Sequence, residues 1–175
     1  MNAFVNAGLT KDTLMIDDEE SEDKKSFVLQ VSEESQIAAV AGLGLLCPWN
    51  TDTITDHLMT YLDNEGKYVK AGASLGIGMC SAGINDDNDI SFGLLSDSIN
   101  DKEDILRECS ILGLGMAYAG RSKEELMENL IPKIVDTDLS VKESAYSALS
   151  LGLSFVGQCN GDVAEAIVQT LMERD

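Results

Sequence analysis

A triplet of small residues around one aliphatic side chain returns four times along this chain, as Gly42-Leu43-Gly44, Gly76-Ile77-Gly78, Gly113-Leu114-Gly115 and Ser150-Leu151-Gly152. The last residues of successive triplets are 34, 37 and 37 positions apart, and five positions beyond them stand Trp49, Gly83, Gly120 and Gly157. Four occurrences in register mark an internal repeat, and a period of this length belongs to stacked supersecondary units that each contact only their neighbours.

After each triplet a polar turn leads into a second amphipathic run: ITDHLMTYLD, ISFGLLSDSIN, KEELMENLIPKIV and GDVAEAIVQTLMER. Apolar residues three and four apart on both sides of the turn give helix, turn, helix for each unit. Aromatic residues make up only 5% of the chain, which disfavours strands built on aromatic and β-branched side chains. The spacing therefore predicts an all-α solenoid over residues 36–175. Its four units run approximately over 36–70, 71–107, 108–142 and 143–175, preceded by an acidic linker or insertion at 1–35 that is partly disordered around 17–25.

Glycine inside a helix costs about 0.5–1 kcal/mol against alanine, so two per unit imply backbones that must approach closely. Gly83, Gly120 and Gly157 suit left-handed stops after the first helices. Ser122 with Glu125, Ser140 with Glu143 and Asp101 with Asp104 each fit a capping box, and Asp89 or Asn88 suits a cap for the run that follows. Trp49 is expected to pack in the turn after Pro48. Met59, Met79, Met116, Met127 and Met172 fall at apolar positions and read as core filler.

The formal charge of -19 excludes a nucleic-acid surface, which needs clustered Lys and Arg to displace phosphate counterions. A basic-faced protein is the natural partner. Cys47, Cys80, Cys109 and Cys159 are widely spaced, each in or beside an apolar run, and read as buried reduced thiols of the cytoplasm or nucleus. No run is long and apolar enough to span a membrane.

Catalytic and metal patterns fail on their chemistry. His57 is the only histidine, and nothing in the sequence positions it against a cysteine or an oxyanion donor. Cysteine intervals of 33, 29 and 50 make no zinc pattern. Residues 85–89 lack the glycine and the distal glutamate of a calcium loop. Gly115 to Ser122 comes near a phosphate loop, but Arg121 stands where lysine is required and the glycine spacing recurs in helical context. The reading is a binding scaffold with no catalytic residue, no cofactor and no metal.

The pattern AxxxLGxGxxxxG followed by an amphipathic helix resembles the proteasome/cyclosome repeat family, which includes scaffold subunits of the proteasome regulatory particle and of the anaphase-promoting complex. The stretches AFVNAG (3–8), LGLGMAYAG (112–120) and GQCNGDVAEAIVQTLMER (157–174) are most similar to the branch that receives ubiquitin. Residues 19–36 depart from that pattern. The resemblance implies a segment of a toroid, a non-catalytic receptor for ubiquitin, polyubiquitin chains and the ubiquitin-like domains of shuttle factors, and ATPase base subunits as neighbours in the full-length protein.

It also implies an acidic patch on outer helices, set against the basic, Ile-centred face of the ubiquitin fold. The residues of this sequence that match in spacing are Asp97, Asp104 and Glu108, seven and four apart, with Asp101 between them. By helical geometry Asp97 should face solvent, opposite Phe92 and Leu95, while Asp104 and Glu108 should share one exposed face of the next helix. The alternative is a purely structural spacer in a sibling scaffold or in the anaphase-promoting complex, its acidity serving only solubility.

Overall fold

A computed structural model describes residues 2–9, 30–53, 57–85 and 88–173. Its α-helices are α1 (Asn2–Val5), α2 (Glu33–Leu46), α3 (Thr51–Thr53), α4 (Met59–Leu62), α5 (Lys67–Ser81), α6 (Ile90–Leu95), α7 (Asp104–Ala117), α8 (Glu124–Val135), α9 (Val141–Ser154) and α10 (Gly161–Glu173). No strand occurs among the described residues. The fold is an all-α solenoid.

The long helices α2, α5, α7 and α9 carry the triplets and pack on one another in that order, while α4, α8 and α10 stack outside them. Val40, Leu43, Ile77, Ile111, Leu114 and Leu151 fill the seams between layers and are essentially solvent-free. The glycines set the spacing of the inner layer. A Cβ at Gly44 would lie 2.7 Å from Gly76 Cα, one at Gly78 2.5 Å from Gly113 Cα, and one at Gly115 2.6 Å from Ser150 Cα. A backbone atom stands in the way at all three junctions, joined at Gly115 by the Cβ and Oγ of Ser150, so rotating a side chain would not make room.

The turns repeat as closely as the helices. Trp49, Gly83, Gly120 and Gly157 adopt φ of 65°, 79°, 74° and 79°, the left-handed conformation that ends a helix. The amide of Trp49 donates to Cys80 O at 2.8 Å, and that of Gly120 to Leu153 O at 2.9 Å. Each of these turns thereby satisfies a carbonyl at the end of the next unit's first helix, where no intrahelical donor exists.

Several expectations change on contact with the structure. Ser140 caps α9 through its hydroxyl, which accepts from Glu143 N at 3.1 Å, but Ser122 does not cap α8. That helix starts one residue late, with Lys123 at the cap, and Ser122 sits left-handed at φ 53°. Asp89 occupies the cap position of α6 at φ 48° without a side-chain capping bond; its carboxylate instead takes Tyr118 Oη and Lys123 Nζ.

Trp49 does not pack into its turn. Its left-handed backbone turns the side chain outward to 71% exposure, and the indole N–H donates to Ala82 O at 2.9 Å. Met59, Met172 and Cys159 are exposed rather than buried, while Cys47, Cys80 and Cys109 are buried free thiols. Gly115 and Ala117 lie inside α7, so the glycine run there forms helix and not a phosphate loop. The acidic segment falls mostly at residues 10–29, outside the described residues, as do Asp86 and Asp87.

Candidate functional site

The segment from Asp97 to Glu108 is built from three local structures. α6 stops at Leu95, and residues Asp97–Asn100 form a 3-10 turn instead of extending the helix. Gly93 weakens the helix interior, and the run Ser96, Asp97, Ser98, Asn100 supplies side chains that compete for backbone hydrogen bonds. Ile99 is buried and anchors the turn, whereas Asp97 and Asn100 are exposed. Asp97 therefore faces solvent as the sequence implies, but from a turn and not from a helix.

Asp101 Oδ1 accepts from Glu103 N at 2.9 Å, making an Asx turn that leads into α7. Glu103 occupies the cap position without a side-chain bond, so the capping box of Asp101 with Asp104 does not form. Asp104 opens α7 with its side chain 81% exposed and pairs with Arg107 Nη2 at 2.8 Å.

Glu108 is different: its side chain is only 8% exposed, and Lys142 Nζ of α9 sits 2.5 Å from its Oε2. The hydrogen bond to Glu108 is the leading cause that holds the Lys142 ammonium above its ordinary pKa. Asp104 and Glu108 thus do not share an exposed face. The reason lies in the register: Glu108 is seven residues before Gly115, the glycine that meets Ser150, so it belongs to the flank on which α9 packs.

Two further residues hold this region together: Arg107, which the sequence did not single out, and Glu143, which it marked only as a capping partner of Ser140. Arg107 donates to Asp101 O at 2.9 Å and to Lys102 O at 3.4 Å, and its Nε and Nη2 reach Glu143 Oε2 at 3.2 and 2.9 Å. Glu143 is 1% exposed and takes Lys133 Nζ at 3.0 Å on its other oxygen. Burial pushes the Glu143 carboxyl pKa up, but the hydrogen bonds and charges of Arg107 and Lys133 outweigh that and hold it below the ordinary range. Glu143 lies seven residues before Ser150, as Glu108 does before Gly115. A charged residue at that offset from the inter-unit contact is the signal that identifies both as junction groups.

The arrangement offers two outward carboxylates, Asp97 and Asp104, on a frame fixed by a buried ion cluster. Among the described residues no three His, Cys, Asp or Glu side chains gather as metal ligands, and no helix is long and apolar enough to cross a membrane. What the site provides is directed negative charge, which orients and attracts a cationic protein face.

No protein-family model matches the chain. Individual relatives do. It is 43% identical over 175 residues to 26S proteasome regulatory subunit rpn1 of Schizosaccharomyces pombe and 38% identical over 177 residues to 26S proteasome regulatory subunit rpn-1 of Neurospora crassa. It is 33% identical over 174 residues to 26S proteasome non-ATPase regulatory subunit 2 of Dictyostelium discoideum. These alignments cover 99–100% of the chain but 19% of each relative. Over its whole length the chain is homologous to a segment of non-ATPase regulatory subunits of the 26S proteasome, and it spans about a fifth of the length of these relatives.

Proposed function

We propose that the chain is a non-catalytic scaffold segment of the proteasome regulatory particle and a receptor for ubiquitin and for the ubiquitin-like domains of shuttle factors. The observation that carries this reading is the exposure of Asp97 and Asp104 on either side of a turn that Arg107 holds in place. Carboxylates fixed in this way need little reorganisation to meet a face rich in Lys and Arg, so the contact forms quickly, weakly and with strong dependence on salt. Glu108 belongs to the inner edge of the patch, and Asp101 shapes the turn.

The experiment is the affinity of the chain for ubiquitin, measured by calorimetry at two ionic strengths, with D97N and D104N alongside. The expected result is weaker binding for each variant, with a smaller salt dependence than wild type. Binding that is unchanged in the double variant D97N/D104N sinks the receptor reading.

One observation favours a second reading, the purely structural spacer. Asp101, Asp104 and Glu108 already hold partners within the chain, at Glu103 N, Arg107 and Lys142. On that reading these contacts only shape the turn and, through Glu108–Lys142 and Arg107–Glu143, fasten α7 to α9, and D97N, which touches none of them, changes neither binding nor stability.

A further inference from the structure

We propose that Lys142 is an intramolecular cover on Glu108, and that a cationic partner engages Glu108 only by taking the place of the Lys142 ammonium. The inference rests on the receptor reading and sets a condition on one of its residues. It begins from an asymmetry within one ion pair: the Lys142 side chain is 57% exposed while that of Glu108 is 8% exposed. The ammonium lies on the solvent side, and the carboxylate lies beneath it.

The second observation is how differently the two cations of this region are held. Arg107 makes five hydrogen bonds, to Glu143 twice and to Asp101 O, Lys102 O and Asp104 once each, so it cannot leave without opening the turn. Lys142 has Glu108 and, at 5.7 Å, the ring of Tyr146. A lysine on a flexible four-carbon stem has no second hydrogen bond to break when it swings into solvent, and its ammonium is well hydrated there.

With Lys142 in position, Glu108 contributes nothing to a partner's field beyond a neutralised pair. With Lys142 displaced, a nearly buried carboxylate is left without its counter-charge, a costly state that a partner's cation relieves. Removing the lysine charge should therefore tighten binding through Glu108 specifically, beyond the general effect of a more negative surface.

The test is a double-mutant cycle on ubiquitin affinity in the intact chain, using wild type, K142Q, E108Q and K142Q/E108Q at one ionic strength. K102Q serves as the measure of one lost surface charge. K142Q is expected to bind about fivefold more tightly than wild type, because the partner's cation no longer competes with the ammonium for Glu108. In the E108Q background the same change should do no more than K102Q. K142M, which keeps the aliphatic stem over Tyr146, should repeat the result if K142Q disturbs folding. Additive behaviour in the cycle, or weaker binding by K142Q and K142M, overturns the cover. If D97N/D104N leaves binding intact, the receptor reading and the cover fall together. If that variant weakens binding while the cycle is additive, the cover alone falls.

Discussion

Alanine at Gly78 and alanine at Gly152 should move stability in opposite directions, although both are the last residue of the same repeated triplet. At Gly78 the new Cβ would lie 2.5 Å from Gly113 Cα and 2.7 Å from Gly113 C, where carbon atoms normally stand about 3.5–4.0 Å apart. Only backbone is in the way, so α5 and α7 must separate by about 1 Å, and a gap of that size forfeits a quarter to a half of each dispersion contact along the seam. Overpacking of this kind costs up to about 3 kcal/mol, against a helix gain of roughly 0.5–1 kcal/mol for replacing glycine.

The net expectation for G78A is a loss of about 2 kcal/mol, which lowers Tm by roughly 4–8 °C in a chain of this size. At Gly152 nothing lies within 4 Å of the Cβ position, so only the helix gain remains and Tm should rise by roughly 1–4 °C. Thermal melts followed by circular dichroism at 222 nm measure both. If G78A melts with wild type, or if the two variants shift in the same direction, close backbone approach is not what the glycines are for.

Two other perturbations test the buried chemistry. Because Glu143 ionises more readily folded than unfolded, its contribution is complete above the ordinary glutamate range, near about pH 4.3, and is lost as pH falls through its lower folded value. E143Q should cost roughly 3 kcal/mol at neutral pH, leaving Arg107 and Lys133 without their shared anion. Urea denaturation from pH 7 to pH 3 should show a smaller acid loss for E143Q than for wild type; parallel curves contradict the assignment. Burial pushes the thiols of Cys80 and Cys109 up to about 11, while Cys159 is exposed. Iodoacetamide at pH 8 should therefore label Cys159 first and the others only on unfolding, which peptide mass spectrometry resolves.

The repeat was legible in the sequence because its constraint is absolute. Gly44, Gly78 and Gly115 meet backbone, and Gly83, Gly120 and Gly157 hold left-handed turns, so few other residues satisfy those positions and the spacing stands out. The second helices were less legible. Nothing in the apolar period of residues 90–100 separates a continuous helix from α6 followed by a 3-10 turn.

For the site, Asp97 and Asp104 were readable as solvent-facing, but Glu108 was not readable as covered. Its partner Lys142 is 34 residues away (142 minus 108) and meets it only once α7 and α9 are stacked. The same holds for Arg107 and Glu143, which lie 36 residues apart. Trp49 replaces a glycine at a left-handed position, and no local pattern reveals that its indole would be held outside by Ala82 O.

The central claim is that the outward carboxylates around the Asp97–Asp104 turn receive the ubiquitin fold. It is tested most directly by titrating isotope-labelled chain with unlabelled ubiquitin and following backbone amide shifts by NMR. The account predicts saturable shifts clustered at residues 90–110, centred on Asp97 and Asp104, that fade as salt is raised. Shifts that are absent there, or that map instead to the outer surface of α10, would contradict it.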